Sequence, residues 1–292
     1  MGYGPCRTPY RPATLPEFTL ISDRLWKPFW KDEEMPDWSQ IKGLLFDKDG
    51  TLIDFFATWI PAYCMAADRI AQQAGKPDAA NAMLLATGYN RPEDYLRPDS
   101  ALAGGTNQEL IDIWRKVLGT VAPENMEAIA LATFTEHAAH EVLPTADMPM
   151  LCGRLREKGF TLGIATNDDL ETASWTADYL KISHHMAFVT GADAGHGGKP
   201  GPGMGLAFCA ETGLSPHEVA MVGDSAADSQ MARAAGFGAA IGVCTGAAPE
   251  EVLRPHFDVV LDSVALLPNL LWNEMLSQDY CVKSESASSS FS

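Results

Sequence analysis

Positive charge is what this sequence lacks most: 21 lysines and arginines face 38 aspartates and glutamates, a formal net charge of −17. A nucleic-acid binder must neutralise phosphates with a basic face. The deficit therefore argues against nucleic acid as a partner, and against an anionic membrane surface. Cysteine is sparse and scattered. Cys6, Cys64, Cys152, Cys209, Cys244 and Cys281 form no Cys-x-x-Cys pair, which suits neither a disulfide framework nor a zinc site. Reduced thiols and a cytoplasmic location are the expectation. Residues 1–40 hold no continuous apolar run of the kind a secretion signal or membrane span needs. Cys6 also stands where a myristoylation signal wants Ser or Thr. These residues are expected to form an N-terminal extension, partly packed through Trp26, Phe29, Trp30 and Trp38. The Ser-rich end, 273–292, reads as a disordered tail.

What is present is core material. At 292 residues and 46% hydrophobic content, the chain can bury a full core. Gly43, Leu44, Leu45 and Phe46 run straight into Asp47, Lys48, Asp49, Gly50 and Thr51. An unbroken apolar run suits a strand buried on both faces of a parallel sheet, here delivering acids at its C-terminal tip. Asp47 and Asp49, two apart on extended backbone, project to one side and repel unless a cation or a shared proton separates them.

From 57 to 141 the pattern is helical, with segments at 62–73, 79–87, 108–118 and 124–140 and no strand expected among them. That is several times too long for a simple crossover connection, so it is expected to be an all-helical cap inserted after the first strand. From Met148 onward helices alternate with strands expected at 161–165, 187–190, 219–222, 239–243 and 259–261. The fold class is therefore α/β: a doubly wound parallel sheet, with a core over 41–56 and 142–272 and the cap over 57–141.

In such sheets the site lies beyond the carboxyl ends of the strands. Besides Asp47 and Asp49, the tips carry Thr166 with Asn167, then Lys199 in a Gly-rich loop, then Asp224 with Asp228 a helical turn later. A hydroxyl and an amide can both donate to an anion. Asp47, Asp49 and Asp224 suit a hard divalent cation, Mg²⁺, held through oxygen and still open to a phosphate ligand. Lys199 and the Thr166 hydroxyl would balance the remaining phosphoryl oxygens. The set reads as a phosphoryl-transfer site, in which one carboxylate can attack phosphorus and the other move the proton.

The order Asp47-x-Asp49-Gly50-Thr51, Thr166-Asn167, Lys199-Pro200 and Gly223-Asp224-x-x-x-Asp228 resembles the haloacid dehalogenase-like hydrolases, over residues 42 to about 262. The helical insert is similar to the cap of phosphoglycolate-phosphatase-like members. The resemblance implies Asp47 as nucleophile, Asp49 as acid and base, and Thr166, Asn167 and Lys199 around the phosphate. It further implies Mg²⁺ on the Asp47 side chain, the Asp49 backbone carbonyl and Asp224, with Asp228 behind them. Residues 168–198 leave room for one helix and one strand, not for a second cap. The substrate implied is a small phosphorylated metabolite, phosphoglycolate or a sugar phosphate.

Lys48 departs from the family pattern, which has an apolar residue there; strand alternation predicts that it points away from the reacting pair. Transport ATPases of the superfamily share the Lys but have Thr at the position of Asp49, so Asp49 favours phosphoenzyme turnover; dehalogenases also lack the second acid, so halide chemistry is not expected. Rival readings are a phosphomutase, a phosphonate hydrolase using Lys76 or Lys116 of the cap, and a catalytically silent binding module. In the cap, Arg91 and Arg97 lie in a polar loop that could reach a second anion of the substrate, although arginines there are more often simply solvated. Phe55, Phe56 and Trp59 are expected to pack the hinge or line the pocket. His137, His140, His184 and His185 are read as surface or packing residues, and Asp168 or Asp169 as a helix cap outside the site.

Overall fold

A computed structural model describes residues 36–97 and 100–272. Residues 1–35 of the extension, with Trp26, Phe29 and Trp30, and the Ser-rich tail lie outside the described residues. The strands are β1 (Gly43–Phe46), β2 (Tyr89–Asn90), β3 (Tyr95–Leu96), β4 (Thr161–Ala165), β5 (Met186–Thr190), β6 (Val219–Gly223), β7 (Ala239–Val243) and β8 (Val259–Leu261). Six of them form one sheet in the order β5-β4-β1-β6-β7-β8, with every pairing parallel.

The apolar run thus becomes the middle of the sheet, with Leu45 of β1 paired to Gly163 on one side and Met221 on the other. Leu44, Leu45 and Phe46 are wholly buried, each contributing about 1.5–3 kcal/mol of transfer free energy. Continuous apolar sequence is what a strand covered on both faces requires. Leu45, Ala165, Val219 and Met221 pack with Met204 and Phe208 and with Met231 and Ala232. These last two pairs come from α8 (Gly203–Thr212) and α9 (Ala226–Ala235). Leu44, Phe46, Ala220 and Val222 alternate to the opposite face. Two further helices, α6 (Met148–Glu157) and α7 (Leu170–Tyr179), lie against β4 and β5 respectively. Short helices α10 (Glu250–Leu253) and α11 (Leu267–Trp272) close the described chain.

Between β1 and β4 stands the helical insert: α1 (Phe55–Gln73), α2 (Ala79–Thr87), α3 (Ala101–Gly104), α4 (Asn107–Leu118) and α5 (Met126–Glu141). α1 packs on α5 and α2, and α2 on α4. Side chains end these helices as the sequence suggests. Asp54 accepts from the Ala57 N–H at the start of α1, and Thr106 with Glu109 makes a reciprocal cap on α4. The two crossings between sheet and insert run side by side: Asp54 N donates to Leu143 O at 2.8 Å, and Thr145 Oγ1 donates to Thr51 O at 2.6 Å.

One expectation is corrected. The insert is not free of strands, because β2 and β3 pair antiparallel within it. The polar loop makes this hairpin by a local device: Asp94 takes a left-handed φ of 48° and its carboxylate accepts from the Tyr89 hydroxyl at 2.7 Å.

Candidate active site

Because β1 sits at the point where the strand order reverses, its tip is flanked by those of β4 and β6, with β5 one strand further out. Four segments therefore converge. Asp47 follows β1, Thr166 and Asn167 follow β4, Lys199 lies on the loop after β5, and Asp224 follows β6. The Lys199 ammonium is buried between two acids, 2.5 Å from Asp47 Oδ1 and 2.6 Å from Asp228 Oδ1. Burial works against its charge, yet Asp228 and Asp47 hold its pKa above the ordinary value. The second Asp228 oxygen accepts from the Ser225 N–H at 3.0 Å and from the Ser225 hydroxyl at 2.6 Å. Asp228 thus anchors both the lysine and the start of α9.

Asn167 fixes the backbone of that lysine. Its Oδ1 accepts from Lys199 N at 2.7 Å, and its Nδ2 donates to Lys199 O and, across to the insert, to Gly104 O, each at 3.2 Å. The expectation that this amide is available to an anion is corrected: the side chain is committed to positioning Lys199. The Thr166 hydroxyl accepts from Asp168 N at 3.1 Å, which leaves its own O–H free to donate into the cavity.

Asp47, Asp224 and Asp228 bring one carboxylate oxygen each to within 4.8 Å of one another. Burial pushes the Asp47 carboxyl up to about 6 against the pull of Lys199, and burial with Asp47 and Asp228 nearby pushes Asp224 well above the carboxylate range. Three buried acids against one ammonium leave a net deficit of two positive charges, which a divalent cation fits. The backbone clears space for it. A Cβ on Gly246 would lie 1.6 Å from Asp224 Oδ2, and one on Gly50, whose φ is +81°, would lie 2.4 Å from the same oxygen. The donor set is oxygen only, as Mg²⁺ prefers.

Lys48 overturns its expectation. Although it alternates with Asp47 and Asp49, it is wholly buried and its ammonium reaches forward to Asp49 Oδ2 at 2.7 Å and Asp168 Oδ2 at 3.1 Å. The chain turns at once after β1, so that Gly50 N, Leu52 N and Ile53 N bond back to Ile53 O and Lys48 O, and the flexible lysine stem covers the rest. Trp59 Nε1 also donates to Asp49 Oδ1. Asp168 is therefore no mere helix cap; Asp169 has that role, accepting from Thr172 N at 2.7 Å. Asn107 of α4 donates to Asp168 Oδ1 at 3.0 Å, tying the insert to the core.

Insert and core enclose a cavity of about 360 Å³ lined by Asp47, Asp49, Thr166, Asn167, Lys199 and Asp224 at the core end. Phe55, Trp59, Tyr63, Phe134 and Trp175 also line it. Phe55, Trp59 and Tyr63 recur every fourth residue on α1 and so share a face; that spacing would have found Tyr63, which sequence reading missed. Phe56 is exposed and does not line the cavity. Arg91 is turned onto α1, 3.0 Å from Asp68 Oδ1 and 3.1 Å from Cys64 O; neither it nor Arg97 lines the cavity. Among the described residues no histidine joins a metal-ligand cluster, and no helix is long and apolar enough to cross a membrane.

The model of the haloacid dehalogenase-like hydrolase family matches residues 41–236. The chain belongs to that family. Among the relatives of this haloacid dehalogenase-like hydrolase is a phosphoglycolate phosphatase of Chromobacterium violaceum, 30% identical over 237 residues, covering 80% of this chain and 97% of that protein. An N-acetylmuramic acid 6-phosphate phosphatase of Pseudomonas aeruginosa is 26% identical over 197 residues, 68% of this chain and 79% of its own. A solved structure described as a predicted phosphoglycolate phosphatase from Haemophilus somnus superposes with a TM-score of 0.60 at 20% identity, covering 79% of this chain and 98% of that one. At that identity the likeness shows the fold.

Proposed function

We propose that this chain is a Mg²⁺-dependent phosphatase that hydrolyses a small phosphorylated metabolite through an aspartyl phosphate on Asp47. The observation that carries the reading is the buried Asp47–Lys199–Asp228 chain beside Asp224, opening at the strand tips into the cavity between core and insert. Such a site needs a divalent cation to balance its excess negative charge before it can admit a phosphate dianion. Mg²⁺ would be held by the Asp47 carboxylate, the Asp49 backbone carbonyl and Asp224, and would neutralise charge on the phosphoryl oxygens.

The protein groups then have defined work. An Asp47 oxygen attacks phosphorus in line with the departing alcohol, and the bond from phosphorus to that alcohol's oxygen breaks. Asp49, acting as general acid, gives a proton to the leaving alkoxide. The same carboxylate then takes a proton from the water that attacks the phosphorylated Asp47, whose bond to phosphorus breaks and frees phosphate. Lys199 and the Thr166 hydroxyl hold the phosphoryl oxygens throughout. Asn167 and Asp228 hold Lys199.

The core is proposed to comprise 41–56 and 142–272 and the cap 57–141, with α1 already begun at Phe55. Lys76 and Lys116 are exposed and neither lines the cavity, so a Schiff-base phosphonate hydrolase has no cap lysine at the site. A cytosolic location accords with the free thiols of Cys152, Cys209 and Cys244. The test is phosphate release from p-nitrophenyl phosphate with and without Mg²⁺. Activity is expected to vanish with chelator and with Asp47→Asn, which also abolishes acid-stable labelling of the protein by phosphate. Activity persisting in Asp47→Asn would sink the covalent route, and a wild type inert towards a panel of phosphorylated metabolites would make the chain a binding module.

A further inference from the structure

The cavity that receives the leaving group is aromatic on several sides. α1 presents Phe55, Trp59 and Tyr63; α5 adds Phe134, whose ring meets Tyr63 edge-on at 5.1 Å; and α7 adds Trp175 from the core side. The α1 and α5 rings brace one another, and Trp59 is pinned through its indole N–H to Asp49, so that wall is set before a ligand arrives. The acids that line the cavity apart from Asp47, Asp49 and Asp224 are Asp168, Asp169 and Glu171. Among the described residues Lys199 is the only cation lining it, and Lys199 already serves Asp47 and Asp228. Arg91, the obvious candidate for a second anion, is committed to Asp68 and the Cys64 carbonyl.

We propose that the alcohol part of the substrate carries no second anion and presents an apolar face to this aromatic wall, so that an anionic group such as the carboxylate of phosphoglycolate is selected against. The inference rests on the phosphatase reading. An entering carboxylate would exchange water for aromatic faces and three more acids, with no donor cation to replace its hydration. An uncharged ring would bury apolar surface against Tyr63, Phe134 and Trp175 and meet no such penalty.

Benzyl phosphate, phosphoglycolate and phosphoethanolamine test this, because all three leave as alkyl alcohols and differ in the charge the pocket meets. The expected kcat/KM for benzyl phosphate exceeds that for phosphoglycolate by roughly ten- to a hundred-fold, and that for phosphoethanolamine, whose ammonium meets acids, exceeds phosphoglycolate too. Trp175→Ala should lower the benzyl-to-glycolate ratio about tenfold. Glu171→Lys, at an exposed rim position, should raise phosphoglycolate turnover by supplying the missing cation. As inhibitors, benzylphosphonate should bind more tightly than phosphonoacetate. Phosphoglycolate turned over as well as benzyl phosphate or phosphoethanolamine overturns the inference and leaves the phosphatase intact. So does a Trp175→Ala variant that loses both substrates in equal proportion. Failure to release phosphate from these three and from p-nitrophenyl phosphate overturns the phosphatase itself, and the inference with it.

Discussion

Replacing Lys48 by methionine removes a buried ammonium while keeping most of its stem. In the wild type Lys48 Nζ lies 2.7 Å from Asp49 Oδ2, 3.1 Å from Asp168 Oδ2 and 5.0 Å from the Trp59 ring centroid. Burial alone would push the ammonium towards neutrality, but Asp49 and Asp168 outweigh it and hold the pKa above its ordinary value. In the variant those two carboxylates face each other with no cation between them. Removing one partner from a buried ion pair costs about 3–5 kcal/mol. Here the side chains of Asp49 and Asp168 keep 21% and 14% exposure, so water recovers part, and we expect a loss of about 3 kcal/mol, or roughly 6–12 °C in Tm. Adding Asp168→Asn removes one of the two stranded charges and should restore about half of the loss. The assay is thermal unfolding followed by far-UV circular dichroism, with turnover measured in parallel. kcat should fall more than KM rises, because Asp49 loses the contact that sets its position. A Tm change under about 2 °C, or a double variant no more stable than the single one, refutes the idea that Lys48 ties the proton-transfer acid to the core.

Three further outcomes follow from the same geometry. Gly246→Ala must displace Asp224, since the new Cβ would lie 1.6 Å from its Oδ2; activity and the Mg²⁺-induced rise in Tm should both fall, and an unchanged Mg²⁺ response would count against Asp224 as a ligand. Asp49→Asn should lower kcat by about 10²–10⁴-fold and leave phosphoenzyme detectable after rapid acid quench; unimpaired turnover would remove its acid–base role. In chelator-treated protein Asp47 titrates near 6 rather than at its ordinary value of 3.8, chiefly through burial. A raised folded-state pKa contributes stability that is full below 3.8 and lost as pH rises through about 6, on the order of 3 kcal/mol. Mg²⁺ should therefore raise Tm more at pH above this window than below it, as a thermal-shift series would read; an equal rise throughout would contradict the buried-acid account.

Much of the core was legible because its signals are local. Strands β4, β7 and β8 fall on the expected residues 161–165, 239–243 and 259–261, since a strand covered on both faces must be apolar throughout and must end in turn residues. Helix α2 likewise matches its periodicity at 79–87. The β2–β3 hairpin was not legible, because strands of two residues carry no period, and its turn rests on one side-chain contact between Tyr89 and Asp94. α1 starts at Phe55 rather than in the sixties, because Asp54 caps it and the aromatic residues of its first turns pack on the cavity side.

The sequence by itself determined which residues stand at strand tips: Asp47, Thr166, Lys199 and Asp224 each follow an apolar run or its loop, and parallel strands put all such ends on one edge. Only the tertiary structure decided what those residues do to one another. It turned Lys48 from a bystander into the partner of Asp49 and Asp168, and Asn167 into the brace of Lys199. It also drew Tyr63, Phe134 and Trp175, far apart along the chain, into one wall. The reason is physical. Alternation fixes where a side chain leaves the backbone, but a long flexible stem in a turn goes where burial and opposite charge take it, and the packing of α1 and α5 over the sheet sets that environment.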